Sequence, residues 1–271
     1  MPFKVDLHIH TNKSDGAFSP LQIINKALKN ELSVISITDH DTTAAIPEAI
    51  EYGEKIGIEV IPGIEISTSV ESTEIHLLSY FFDYSNTELM EYLADFSEER
   101  LVRAKKIISL LQDMNVNITI DDVKETAGSS PITRPHIAQT IFRKNYTTSV
   151  MNAFYKYIGD NAPADVKKKF TEAGELIDMM HNAGGLVFIA HPSGINDEII
   201  ESLVKSGIDG IETTHPAIRP MRLKSLQKIT AYHSLLESGG SDFHGGEKGD
   251  EHNLGKYYIS QKKFTNIRNS L

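Results

Sequence analysis

Hydrophobic positions along this chain follow two rhythms. Phe3–Ile9, Val34–Thr38, Glu59–Ile66 and Glu74–Phe81 are short apolar runs of strand length. Between the first two, Ser19, Pro20 and Gln22 mark a helix start: an N-cap, a proline in the first turn and a capping-box partner. A second helix is expected over about Ala44–Ile56. From about residue 90 to 165 the strand rhythm stops. Leu101, Ala104, Ile108 and Leu111 recur at helical spacing, as do Ile137 and Ile141, then Met151, Phe154 and Ile158. Gly128 and Gly159 stand where helices end, and Thr133-Arg134-Pro135 where one begins.

Alternation then returns. Thr171–Ala183 reads as a helix closed by Gly184, Gly185–Ala190 as a buried strand and Asn196–Lys205 as a helix. Ile208–Thr213 is a strand, Pro220–Tyr232 a helix, and one more strand precedes Gly239-Gly240. Glu247–Glu251 is a polar loop. Repeated strand–helix units predict a parallel sheet with right-handed crossovers. About seven such units point to an α/β fold closed as a barrel, with its chemistry at the C-terminal strand ends.

Composition narrows the class. With 271 residues, 40% apolar and 24% charged, the chain suits one large domain or a domain with an insertion. No apolar run reaches the roughly 18 residues of a membrane span. Met1-Pro2-Phe3-Lys4 leads straight into a strand and lacks signal-peptide form, so a cytoplasmic location without membrane partners is expected. The absence of cysteine excludes disulfides and thiolate–metal sites. A formal charge of −10 argues against broad, sequence-independent coating of DNA or RNA, and no duplex DNA partner is expected. It leaves room for a small anion, because bound cations reverse the local sign.

The candidate chemistry sits at strand ends. His8 and His10 are two residues apart and so face the same way from the first strand. His40, Glu65, His76, His191, Asp242 and His244 follow later apolar runs. Singly, a strand histidine is more often a satisfied core residue than a ligand. Jointly, at the mouth of a barrel, these groups would each cost about 1–3 kcal/mol if left unpaired. Metal ions remove that cost, and nitrogen and oxygen donors without sulfur suit manganese, zinc or iron.

Six segments carry a resemblance. Asp6-Leu7-His8-Ile9-His10-Thr11, Thr38-Asp39-His40-Asp41-Thr42, Pro62-Gly63-Ile64-Glu65, Glu74-Ile75-His76, Ala190-His191-Pro192 and Gly240-Ser241-Asp242-Phe243-His244-Gly245 occur in the order of the polymerase-and-histidinol-phosphatase (PHP) superfamily. The resemblance implies a distorted (β/α)7 TIM-like barrel from residues 1–90 and 166–271, with a helical insertion at 91–165 covering the active site. It also implies two or three divalent ions. His8, His10, Glu65 and Asp242 would hold the first. Glu65, His76 and His191 would hold the second, and Asp15, His40 and His244 the third. Asp15 rests on the resemblance alone. His8, His10, Glu65, His191 and Asp242 would surround the reacting phosphate, which metal-activated water attacks. Three carboxylates against three divalent ions leave a local charge of about +3.

The insertion resembles a bacterial subgroup through Thr133–Ala138 and Phe154–Gly159. That subgroup removes the 3′-phosphate of nucleoside 3′,5′-bisphosphates and trims short RNA from its 5′ end. A small phosphorylated substrate, a nucleotide or short RNA, is therefore expected. Arg134 suits bidentate grip of a phosphate at a helix start, although a structural salt bridge would also account for it. His136 could touch substrate or pack the insertion, and His215 could line the pocket. His181 and His233 fall within helices and read as structural. One departure is Thr43-Ala44-Ala45, where the subgroup often carries glycine. Two alternatives stay open: a phosphatase for another metabolite such as histidinol phosphate, and a noncatalytic metal-binding module.

Overall fold

Alternation fixes the first strand as expected. In β1 (Lys4–Ile9), Val5, Leu7 and Ile9 join apolar clusters, while Asp6 and His8 take the other face. The computed structural model describes residues 3–128, 130–246 and 249–271. The expected loop at Glu247–Glu251 lies partly outside them. The chain divides into two compact units, Met1–Met90 with Phe170–Leu271, and Glu91–Lys169.

Helix α1 (Pro20–Lys29) opens with the capping box of Ser19 and Gln22. Strand β2 (Val34–Ile37) lies parallel to β1 and to β3 (Glu59–Val70), with α2 (Ile46–Ile56) between them. Strand β4 (Thr73–Tyr80) departs from the all-parallel expectation, pairing antiparallel with β3 and with β5 (Leu186–Ile189). The reason is chain length. Only Glu71 and Ser72 separate β3 from β4, too few for a crossover, and both take the left-handed turn at φ 49° and 67°.

Helix α7 (Ala173–Asn182) leads into β5, and α8 (Asp197–Lys205) and α9 (Pro220–His233) alternate with β6 (Gly210–Thr214) and β7 (Leu236–Gly239). These strands are parallel to β5. A short β8 (Ile259–Ser260), antiparallel to β1, and helix α10 (Gln261–Arg268) complete the unit. Sequence pattern did not reveal them, since β8 has two residues and α10 buries only Phe264 and Ile267. The eight strands run β7-β6-β5-β4-β3-β2-β1-β8 as a nearly closed barrel. Closure comes where the chain after β7 meets β1: Asp242 N–H donates to His8 O at 2.8 Å and His10 N–H to Phe243 O at 3.0 Å. Gly240 makes this approach possible, because a Cβ there would stand 2.4 Å from the His8 nitrogen.

The second unit is helical among its described residues. It takes α3 (Thr87–Asp113) from Glu91 onward, α4 (Ile120–Ala127), α5 (Arg134–Arg143), α6 (Val150–Ala153) and a π-helical turn at Phe154–Ile158. Ala104, Ile108, Leu111, Ile137, Ile141 and Ile158 form its core, as helical spacing predicted. Met151 does not join them and is exposed. No helix among the described residues is long and apolar enough to cross a membrane.

Candidate metal centre

Glu65 sits at the middle of the histidine cluster and is fully buried on β3. Its two carboxylate oxygens face different partners. Oε2 lies 3.2 Å from His8 Nε2 and 3.1 Å from His10 Nε2. Oε1 lies 2.9 Å from His76 Nδ1 and 2.8 Å from His191 Nε2. Asp242 Oδ1 closes the first group at 3.3 Å from His8 and 3.2 Å from His10. His191 Nε2 and His76 Nδ1 stand 3.2 Å apart in the second.

A third group gathers around Asp15. Its Oδ1 is 3.3 Å from His244 Nε2, 4.0 Å from His40 Nε2 and 3.8 Å from His10 Nδ1. His40 also turns Nδ1 toward Glu65 Oε2 at 3.5 Å. All nine residues expected at the mouth thus stand together, Asp15 included.

Electrostatics follow from this crowding. Burial alone would raise the Glu65 carboxyl, but His40, His8 and His76 hold it well below the usual range. Asp242 is lowered in the same way, against its burial, by His8, His10 and His215. Burial would lower His10 and His76, yet their carboxylate neighbours hold each up at about 9. His40 goes the other way, to about 3, because burial dominates and His10 and His76 add repulsion.

The donor set fits divalent ions. Among the described residues, His10 Nδ1, His10 Nε2 and His244 Nε2 are buried with no hydrogen bond of good geometry. Buried polar atoms seldom stay so in a folded protein. Here they belong to groups of three or four histidine and carboxylate donors whose ligand atoms lie within 4.8 Å of one another. Imidazole and carboxylate without thiolate suit manganese, zinc or iron.

Carboxylates behind the cluster brace it, and pattern reading gave them no role. Glu212, buried on β6, accepts from His8 Nδ1 at 2.9 Å and from His191 N–H at 2.6 Å. Asp39 accepts from Thr11 N–H at 2.7 Å and Ser14 Oγ at 2.6 Å, pinning the loop that carries Asp15. Asp41 accepts from Ser67 N–H at 2.7 Å, two residues past Glu65. Asp250 accepts from the His244 N–H. Asp39 and Asp41 flank His40 in the quoted motif, but their partners lie 28 and 26 residues away, beyond any local pattern. Three residues here take the left-handed backbone: Asp41, His191 and Asp242 have φ of 53°, 30° and 48°, each costing about 1–3 kcal/mol.

The residues expected at substrate have other partners. His215 Nε2 meets Asp242 Oδ2 at 3.1 Å, while its Nδ1 accepts the Ala217 N–H at 3.1 Å. That pairing places a proton on Nε2. In the second unit, Arg134 Nη1 donates to Asp160 Oδ1 at 2.8 Å. His136 Nδ1 accepts the Thr133 N–H at 3.2 Å, capping α5. His181 pairs with Asp209 at 2.8 Å and His233 with Glu201 at 3.0 Å, outside the cluster.

Known proteins share this arrangement of chain. The 5′-3′ exoribonuclease Rnm of Escherichia coli (strain K12) is 30% identical over 247 residues, 88% of this chain and 84% of that protein. A 3′,5′-nucleoside bisphosphate phosphatase of Chromobacterium violaceum is 28% identical over 250 residues, 89% of this chain and 87% of that one. A crystal structure of a candidate metal-dependent phosphoesterase from Bifidobacterium adolescentis superposes with a TM-score of 0.88 at 31% identity, covering 98% of this chain and 96% of that chain. The PHP domain model matches residues 6–189, which hold six of the nine cluster residues, and the chain belongs to the PHP domain family of metal-dependent phosphoesterases.

Proposed function

We propose that the protein hydrolyses phosphate esters of small nucleotides, removing the 3′-phosphate of nucleoside 3′,5′-bisphosphates and trimming short RNA from its 5′ end. The observation that carries this reading is the division of the Glu65 carboxylate, with His8 and His10 at one oxygen, Asp242 closing on the same two rings, and His76 and His191 at the other oxygen. A carboxylate so placed suits a pair of ions sharing one ligand. Asp15, His40 and His244 suit a third. The names of the relatives in Escherichia coli and Chromobacterium violaceum support the nucleotide class.

Bound divalent ions would supply a water nucleophile at neutral pH and charge to stabilise the phosphoryl oxygens. The residues of the chain do the rest. His8, His10, Glu65, His191 and Asp242 would hold those ions and, through them, set where the reacting phosphate sits. Glu212 fixes the His8 ring by taking its Nδ1–H. His215 steadies Asp242. Arg134 grips a phosphate by exchanging its Asp160 partner, and His136 lies two residues on in the same first turn.

A phosphate-release panel with added manganese tests the reading. It compares a nucleoside 3′,5′-bisphosphate, a 5′-phosphorylated RNA of a few nucleotides and histidinol phosphate. Turnover of the first two is expected. Faster turnover of histidinol phosphate would replace the substrate class. Metal uptake without turnover of any of them would leave a noncatalytic module.

A further inference from the structure

The second unit contains a cleft of about 430 Å³ with an unusual lining for a chain of charge −10. Arg100, Arg103 and Lys106 reach it from α3, and Lys167, Lys168 and Lys169 from the segment after the π-helical turn. Asp95, Glu98 and Glu99 also line it, so cations outnumber acids two to one. Arg100 to Lys106 covers about 9 Å of helix, the scale of neighbouring phosphates in an extended strand.

The two walls are fastened together. Arg100 and Lys168 lie 5.1 and 5.0 Å from the ring centre of Phe96. Arg103 Nε donates to Val166 O at 2.7 Å. Phe96 itself is buried, so no aromatic face in the cleft is offered to a base. Arg100 and Arg103 also border a void of about 10 Å³, room for about one water, beside Thr133 and Arg134 at the first turn of α5. The cations of the cleft itself form a track within one unit, running from Arg100, Arg103 and Lys106 to the three lysines.

We propose that this track binds the phosphate chain of single-stranded RNA without sequence preference. The inference rests on the nucleotide reading above and deepens it: the preferred substrate is an oligonucleotide, whose added phosphates the cleft would engage. Charge along a line recognises a phosphodiester chain through its backbone, which is the same whatever the bases.

The test uses the full, metal-loaded protein and a 5′-phosphorylated, hydrolysis-resistant octanucleotide. Lys106→Glu with Lys169→Glu reverses two exposed charges that the proposed catalytic cluster does not use. Affinity for the octanucleotide should fall at least about tenfold, and its log–log salt slope should shrink by about 1.4 or more. Turnover of a nucleoside 3′,5′-bisphosphate should stay within about twofold. The milder pair Lys167→Gln with Lys169→Gln should give a smaller loss in the same direction. Unchanged octanucleotide affinity in both variants, with bisphosphate turnover intact, overturns the track. So does equal affinity for an acidic peptide of matched length and charge. Failure of the wild-type protein to turn over bisphosphate or RNA overturns the nucleotide reading instead, and the binding measurement still reports on the track.

Discussion

Glu212 and His8 are joined by a 2.9 Å hydrogen bond between two side chains that solvent does not reach. The bond leaves His8 Nε2 directed at Glu65 and Asp242. The other Glu212 oxygen holds the backbone of His191, whose φ of 30° needs such a restraint. One carboxylate on β6 thus sets two histidines on different strands. Glu212→Ala should lower metal affinity about 10- to 100-fold and destabilise the metal-free fold by about 1–3 kcal/mol. Metal titration and thermal unfolding measure the two effects. Unchanged metal affinity would leave Glu212 a purely structural group.

Removing Glu65 should differ in kind from removing a peripheral histidine. Its two oxygens face separate histidine pairs, so Glu65→Ala should abolish binding of more than one ion. His76→Ala should remove a single ion and leave the His8–His10–Asp242 group loaded. Metal content after gel filtration separates these outcomes, and equal losses in both variants would contradict the shared-ligand reading.

Arg134 and Asp160 form an exposed-to-intermediate ion pair within the second unit. If Arg134 transfers from Asp160 to phosphate, Arg134→Ala should reduce kcat/KM by about 10- to 100-fold, the scale of one charged hydrogen bond. Metal content should not change. Asp160→Asn should lower KM, since the guanidinium loses its competing partner. An unaltered KM in both variants would confine the pair to a structural role.

Proton balance gives a further check. In the metal-free protein His10 and His76 are held at about 9, above the ordinary 6.5. Their contribution to stability is fully present below about pH 6.5 and is lost as pH rises through 9. Metal-free protein should therefore lose stability across that window. Ligation needs neutral imidazole, so metal uptake near pH 7.5 should release protons, and affinity should weaken as pH falls. Unfolding curves and pH-stat titration with manganese test both signs.

Sequence alone carried the periodic features. Alternation placed β1, with His8 and His10 on one face, because side-chain direction along a strand is a local property. Helical spacing in Ala104–Leu111 and Ile137–Ile141 gave the second unit's core for the same reason, while Leu101 stays outside it. The ends of apolar runs gave His40, His191, Asp242 and His244, whereas Glu65 and His76 lie inside β3 and β4. Asp15 carries no periodic signal, and only the motif resemblance supplied it.

Tertiary structure decided what depends on distant chain meeting. The antiparallel setting of β4 follows from a two-residue turn, and β8 is too short to have a period. Glu212 serves His8 across 204 residues and Asp39 serves Thr11 across 28. A carboxylate's role is set by which buried N–H it satisfies. That partner is chosen by barrel closure, and neighbouring residues in the chain hold no trace of it.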